Sequence, residues 1–561
     1  MSSKLKLYVG RKVIETLKKP VQNFPLSFFQ LDNSKNLSNI SIKLPLIALE
    51  THLGVTDTNE VLKIQPDDII KSVKIAKDPT NRSISFEINK ELFIKDVIEN
   101  CVKPDLNLSS ENVVVEYSSP NVAKPFHFGH LRSTIIGNFI SNINQYLNNK
   151  VTRINYLGDW GTQFGFIKVG IEDLKYTQKQ VQENPIKILY KCYVHANSLA
   201  EKDENVLNRA KTEFAKLEKG VESDINDWKT IIRYTENELT NTYERLGVKF
   251  DVYNCESMYG VKEIQGVIDS LKIKNLLVTQ KDGKQTIPVN DKQITVIKSD
   301  GTTLYLTRDI AAAIDRHQKY NFDKMFYIVE NGQHDHFVAL FSILKSMGYK
   351  WADYLKHVKF GRIRGLSTRK GTAVFLNDIL DESRELMMQK QIMSPNTKVP
   401  ITDDRVSDIL GVSCVIVNDL KQRRQKDYQF DWDKVLQVQG DTGVKFQYTH
   451  CRLCSLEKNS GAIAANVCVP DAIQEPEAIL LLREVARFQE VLYASHSQLE
   501  ACILVNYLFH LCNHINKALK VLQVKGTNPD IASQRLLLFN TAREVLRTGM
   551  TILGLQPLQQ M

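Results

Sequence analysis

Hydrophobic spacing along the 561 residues changes character several times, and each change marks a different kind of element. Leu5, Val9, Val13 and Leu17 recur every fourth residue, which predicts one apolar helical stripe ended by Pro20. Between Leu44 and Val97 a helix-like stretch gives way to an alternating run, Arg82–Ser83–Ile84–Ser85–Phe86–Glu87–Ile88, the mark of a half-buried strand. Asp78–Pro79–Thr80–Asn81 before it is turn chemistry, and the whole reads as a small α+β domain closed before Pro104. Asn112–Tyr117 is β-branched, and Ser118–Ser119–Pro120–Asn121 breaks it. A helix follows whose apolar face is Leu131, Ile135, Ile136, Phe139, Ile140, Ile143 and Leu147. The turn Asn148–Asn149–Lys150 then leads to a strand, Val151–Leu157. That is a βαβ unit with its polar loop at the strand's carboxyl end, where open parallel sheets place ligands. Further strands are expected at Lys324–Val329 and His357–Phe360. Beyond Pro400 the spacing is helical, with stripes Leu481, Val485, Phe488, Leu492 and Leu538, Ala542, Val545, Ile552.

Composition narrows the class. Hydrophobic residues at 43% and charged residues at 24% exclude disordered, collagenous and coiled-coil chains. At roughly 150 residues per domain the length allows three or four domains. The apolar stretch Ile409–Val417 falls well short of the ~18 residues of a membrane helix, so no membrane insertion is expected. Nine cysteines, an odd number scattered from Cys101 to Cys512, point to reduced thiols. Cys451 and Cys454 have CxxC spacing without a second pair, and His510, Cys512 and His514 lie inside a helical apolar pattern. Both groups read as core residues, and no metal site is expected. The formal net charge of +9 suits a polyanionic partner, although a solvated basic surface would also account for it. Lys4, Lys6, Arg11, Lys12, Lys18 and Lys19 face only Glu15 in the first twenty residues. A basic amphipathic start fits a mitochondrial presequence or the first element of an RNA-contacting domain, and the excess of Lys over Arg counts against import.

The chemistry concentrates after the first βαβ strand, at Lys124–Pro125–Phe126–His127–Phe128–Gly129–His130. Free N–H groups and the dipole at a helix start attract phosphate, and Gly129 lets a nucleotide approach the backbone. His127 and His130, about one turn apart, can both donate to phosphate oxygens as charge shifts in a transition state. The run Ser118–Ser119–Pro120–Asn121–Val122–Ala123–Lys124–Pro125–Phe126–His127–Phe128–Gly129–His130–Leu131–Arg132–Ser133–Thr134 resembles the HIGH region of the class I aminoacyl-tRNA synthetases, and specifically that of arginyl-tRNA synthetases. Tyr156–Leu157–Gly158–Asp159–Trp160–Gly161–Thr162–Gln163–Phe164–Gly165 is similar to that family's next block. Gly365–Leu366–Ser367–Thr368–Arg369–Lys370–Gly371–Thr372 looks like its KMSKS-type loop, with Leu366 where methionine is usual and Thr368 in place of the second lysine. Arg369 and Lys370 then supply the charge, and which of them meets pyrophosphate stays open.

The resemblance implies an α/β fold with three parts. A Rossmann-type parallel-sheet catalytic domain (106–395) would lie between a small N-terminal α+β tRNA-contacting domain (1–105) and a C-terminal all-α anticodon-binding domain of the DALR type (396–561). It implies ligation of L-arginine to tRNA-Arg through arginyl-adenylate, with ATP as substrate and Mg2+ accompanying it. His127, Gly129, His130, Arg369 and Lys370 would be catalytic, and His127, Gly129, His130, Ser367 and Lys370 would hold ATP. A guanidinium carries five donors, so a selective pocket needs carboxylates. Ser119, Pro120, Asn121, His130, Tyr305, Asp309 and Gln333 match the family's arginine site, and Glu256 matches a family acid facing the guanidinium. Gln447–Tyr448–Thr449–His450–Cys451–Arg452–Leu453 looks like the family's anticodon-side helix, which makes Lys445, Tyr448, His450 and Arg452 candidates for tRNA. Arg423, Arg424 and Lys426 form a further cationic cluster. A monomer in the mitochondrial matrix is expected, the cytoplasm being the alternative. A smaller HxGH nucleotidyltransferase would leave the helical third unexplained, and a catalytically silent tRNA-binding relative is the other reading to exclude.

Overall fold

The computed structural model describes residues 3–19, 28–32, 39–55, 58–76, 82–102, 110–122, 126, 128–219, 221–289, 292–365, 375–394 and 404–561. Two compact units emerge. One combines residues 1–108, 386–421 and 435–561; the other comprises 109–385 with the short return segment 422–434.

The first unit opens with helix α1 (Ser3–Thr16), which buries Leu5, Val9, Val13 and Ile14. Its Lys6 is buried and pairs at 2.7 Å with Glu490, and burial lowers the pKa of this lysine. The apolar stripe is therefore a packed face of a folded unit. Strands β1 (Ile40–Pro45), β2 (Ile70–Ile75) and β3 (Ser83–Ile88) form an antiparallel sheet with Gln30–Leu31 at one edge, in the order Gln30–Leu31, β1, β3, β2. The alternation at 82–88 thus becomes the central strand β3, whereas the turn expected at Asp78–Asn81 lies outside the described residues.

The second unit is built on five parallel strands: β4 (Asn112–Glu116), β5 (Lys150–Leu157), β6 (Val252–Cys255), β7 (Lys324–Glu330) and β8 (Leu355–Phe360). Their order is β8-β7-β4-β5-β6, with every neighbouring pair parallel. Sequential strands run outward on one side of β4, and the chain then crosses to β7 on the other. The β4/β7 seam is therefore the switch point at which open sheets leave a crevice. Helix α2 (Phe128–Tyr146) joins β4 to β5, and its predicted apolar face from Leu131 to Leu147 is buried throughout. Helix α3 (Tyr305–Tyr320) precedes β7, and Ile310, Ala312 and Ala313 sit in the same core cluster as Ile154, Met325 and Leu344. Small alanines on that face let the helix approach closely. Helix α4 (His334–Ser346) leads towards β8.

The helical remainder of the first unit contains α5 (Asp404–Leu420), α6 (Gly443–Asn459), α7 (Pro476–Ala486), α8 (Phe488–Gln498), α9 (Ala501–Val521) and α10 (Pro529–Ile552). The stripe Leu481, Val485, Phe488, Leu492 is buried as expected, but it spans two helices that part at Arg487. The segment 422–434 is not helical throughout: Tyr428–Gln429 pairs in parallel with Ile363–Arg364, so Arg423, Arg424 and Lys426 belong to the second unit. Two-residue strands carry no alternation, which is why spacing did not reveal this one. All nine cysteines are free, and among the described residues no helix is long and apolar enough to cross a membrane.

Candidate active site

The loop after β4 carries the first site residues in an unusual conformation. Ser118 and Ser119 have φ of 71° and 47°, two successive non-glycine residues in the left-handed region. Such strain persists only where neighbours enforce it. Here the Ser118 N–H donates to Ser133 Oγ at 2.9 Å, and Ser133 Oγ donates to the Ile328 carbonyl at 2.7 Å. Ser118 Oγ lies 2.7 Å from the Tyr243 hydroxyl. Asn155 accepts the Ser119 N–H at 3.1 Å and donates its own amide to Tyr243 at 3.0 Å. Strands β4, β5 and β7, helix α2 and the helix Glu222–Arg245 thus fix one turn. Ser119 Oγ is buried without a hydrogen-bond partner among the described residues.

Loop-to-loop contacts continue the crevice. Asn121 bridges to Gly158, with the Gly158 N–H donating to the Pro120 carbonyl and the Val122 N–H to the Gly158 carbonyl, both at 3.1 Å. A Cβ on Gly158 would come within 2.2 Å of Asn121 Oδ1, so a larger residue there would push the Asn121 side chain aside. Asp159, the next residue, accepts the backbone N–H of Ser257 at 3.0 Å and its hydroxyl at 2.6 Å. It thereby holds the 3-10 turn Glu256–Met258 that follows β6.

Asn121, Trp160, Gln163, Tyr193, Glu256 and Tyr305 line a cavity of about 390 Å³. Glu256 is pushed up to about 7, first by burial and then by the negative charges of Asp309 and Asp159. A cation entering here would meet a carboxyl group whose charge is poorly compensated. Asp309 lies one turn beyond Tyr305 on α3 and bonds through Oδ2 to His336 Nε2 at 2.7 Å. His336 and Tyr305 also line a neighbouring cavity of about 400 Å³. Beneath them, fully buried Arg316 pairs with Glu116 at the end of β4 and stacks on Tyr156, 4.7 Å from its ring centre. Within that pair the two charges compensate each other.

Among the described residues expected at the site, five follow the carboxyl ends of strands, whereas Tyr305 and Asp309 stand on α3, ahead of β7. Ser119, Pro120 and Asn121 follow β4, Glu256 follows β6, and Gln333 follows β7 in an exposed 3-10 turn. Gln333 does not line either cavity. Gly129 and His130 open helix α2, where the His130 ring stacks on Phe126 with centroids 5.5 Å apart. His127, Ser367, Arg369 and Lys370 lie outside the described residues. Spacing did not single out Tyr193, Tyr243 or Asn155: the first two sit on ordinary amphipathic helices, and the third is one polar letter in a strand.

The helix α6 residues divide differently. Tyr448 is exposed, and Arg452 stacks on it at 5.7 Å while donating to Asn516 at 2.6 Å. Lys445 pairs with Asp441 at 2.7 Å and packs over Phe509. His450 is a correction to the tRNA-binding set. It is 1% exposed, its Nδ1 lies 2.7 Å from the Leu558 carbonyl, and burial lowers its pKa. The side chain holds the chain end and has no face for an RNA. Gln447 does the same, donating to the Gln556 carbonyl and accepting the Leu558 N–H at 2.8 and 2.9 Å.

Residues 94–432 match the family model for the class I tRNA synthetase (R) catalytic domain, and residues 446–561 match the DALR anticodon binding domain. A mouse protein named probable arginine–tRNA ligase, mitochondrial, is 41% identical over 89% of this chain and 88% of its own length. The cytoplasmic arginine–tRNA ligase of Saccharomyces cerevisiae is 39% identical over 85% of this chain and 82% of its own. The arginyl-tRNA synthetase structure from Thermus thermophilus superposes with a TM-score of 0.83 over the whole of both chains at 18% identity, a likeness of fold. With its catalytic model covering more than half of the residues, the chain belongs to the class I arginyl-tRNA synthetases.

Proposed function

We propose that this chain charges tRNA-Arg in two steps within the crevice described above. As a member of its family it is an arginine–tRNA ligase. In the first step the arginine carboxylate attacks the α-phosphorus of ATP, pyrophosphate leaves, and arginyl-adenylate stays bound. In the second, the terminal ribose of the tRNA takes the arginyl group and AMP leaves. No protein nucleophile is required; catalysis is positioning and stabilisation of phosphate charge.

The observation that carries this reading is the arrangement of carboxyl groups. Glu256 and Asp309 stand close enough to act on each other beside a cavity of about 390 Å³, with the start of α2 in the same unit. The guanidinium goes to the acids, and a neighbouring ring such as Tyr305 or Trp160 covers it. Ser119, Pro120, Asn121 and Gln333 complete the amino-acid site, His127, Gly129 and His130 meet the phosphates, and Ser367, Arg369 and Lys370 supply the remaining polar and cationic groups for ATP. Magnesium arrives with ATP, held by phosphate oxygens and water. Residues 1–105 contact the body of the tRNA, and 396–561 its anticodon side through Lys445, Tyr448 and Arg452. The family's reaction implies activation only in the presence of tRNA. The mouse relative supports a mitochondrial site of action, and a tagged full-length chain excluded from mitochondria would count against it.

ATP–pyrophosphate exchange with all twenty amino acids, with and without tRNA, tests the function. Exchange confined to arginine and dependent on tRNA is expected. Binding of tRNA with no exchange for any amino acid would instead identify a silent relative.

A further inference from the structure

Arg132 stands two residues beyond His130 on the first turns of α2, where a solvent-facing cation would be unremarkable. It is instead 1% exposed. Its Nη1 donates to the Gly361 carbonyl at 2.7 Å and to the Lys426 carbonyl at 2.9 Å, and the guanidinium lies 5.3 Å from the centre of the Tyr428 ring. Gly361 directly follows β8, and Tyr428 pairs with Ile363. One side chain therefore joins the phosphate-facing helix start, the end of the edge strand and the return segment 422–434. Asp427 reinforces the junction by accepting the Arg362 N–H at 2.7 Å and the Arg364 guanidinium at 2.8 Å. Gly361 is pressed so closely against it that a Cβ there would meet the Gln425 carbonyl at 2.7 Å and the Lys426 carbonyl carbon at 2.8 Å. The chain leaves this junction after Gly365 and is tied back at Leu376, whose N–H donates to the Phe126 carbonyl at 2.8 Å. Both attachments are thus made to the two sides of the same helix start.

We infer that Arg132 is a positioning residue for adenylate formation, holding the helix start that carries His130 against the end of β8 and the return segment 422–434. This rests on the ligase reading. One nitrogen, Nη1, bonds both carbonyls while the flat guanidinium lies over the Tyr428 ring, a stack that a lysine ammonium on a flexible stem does not reproduce. The helix start must meet the reacting phosphate in one place, and a displacement of about 1 Å there is enough to lower the rate steeply. The acids of the arginine pocket, Glu256 and Asp309, stand on the turn after β6 and on α3, not on the three segments that Arg132 joins.

The test is ATP–pyrophosphate exchange by full-length Arg132→Lys and Arg132→Met with saturating tRNA, alongside the unmodified chain. The expected result is a kcat lowered about tenfold in the lysine variant and further in the methionine variant. The KM for arginine and the affinity for tRNA should stay within about twofold of the unmodified chain, with kcat counted per active site from the single-turnover amplitude, because an unfolded fraction alone would lower the apparent kcat at unchanged KM. Gly361→Ala forces the same junction apart with Arg132 intact and should give the same split, which keeps the inference testable if the Arg132 variants do not fold. Unchanged kcat in folded Arg132→Met would overturn the inference, as would an arginine KM that rises as steeply as kcat falls. Absence of exchange in the unmodified chain would overturn the ligase reading, and this inference with it.

Discussion

The turn at Ser118–Ser119 and the helix α6 both carry residues with the chemistry to bind a substrate, yet they treat those residues in opposite ways. In the turn, main-chain strain is held by five elements, and the polar atoms that hold it are buried beneath the crevice. In α6 the helical period decides what each side chain meets. Tyr448 is exposed, and His450, two residues on, points inward to the Leu558 carbonyl. A loop at a strand end can be shaped around a ligand, whereas on a helix facing is settled by a rotation of about 100° per residue. Identical letters therefore mean different things in the two places.

The strongest way to break this contrast is to empty the crevice of its paired acid. Asp309→Ala should lower arginine activation about a thousandfold, because a charged guanidinium loses its partner in a partly desolvated site. Binding of tRNA should survive. Activation left intact in the exchange assay would remove Asp309 from the pocket.

Glu256 sharpens the comparison through pH. Its carboxyl group titrates near 7 in the empty site, and only the ionised form attracts a guanidinium. The KM for arginine should therefore be flat above that pH and rise as the pH falls through it. Glu256→Gln should raise KM about 30-fold at pH 8 and flatten the profile. A wild-type KM constant from pH 5.5 to 8 would contradict the assignment.

Tyr243→Phe removes one hydroxyl from under the strained turn, leaving Ser118 Oγ and the Asn155 amide without it. A cost of about 1–3 kcal/mol is expected, read as a lower urea midpoint, with a several-fold higher KM for arginine. A folded variant with wild-type stability and KM would mean that the turn keeps its shape unaided. The smallest effects are expected on α6, where two neighbours should part company. His450→Ala should cost about 1–2 kcal/mol of stability and leave tRNA affinity unchanged below the melting range. Tyr448→Ala should leave stability alone and weaken tRNA binding by up to about tenfold. The reverse pattern in filter binding would restore His450 as an RNA contact.

The sequence foretold the parallel βαβ core, because a β-branched run, a polar break and a buried helical face are dictated by local spacing. The polar breaks after strands were legible in the same way, whereas the assignment of Ser119, Pro120, Asn121, Glu256 and Gln333 to a substrate came from the resemblance to the family's motifs. What spacing could not reveal depends on contacts between distant segments. Asn155 and Tyr243 meet across 88 residues, and Arg132 meets Lys426 across 294. His450 was misread because the partner that claims it, Leu558, lies 108 residues further on.

The pairing of Lys6 with Glu490 has a consequence for how the molecule comes into being. The Arg483 guanidinium likewise donates to the Asn39 carbonyl, and the Gln489 amide to that of Cys101, at 2.8 and 3.0 Å. The first hundred residues are therefore completed by partners that the ribosome makes roughly four hundred residues later. At roughly 5–20 residues per second the wait is about half a minute or longer. During it the sheet crevice, whose strands all lie between the two halves, can close first. Synthesis thus delivers a finished catalytic core while its opening segment still awaits the helices that bury Lys6, and that interval is when the nascent chain is most exposed to chaperones and proteases.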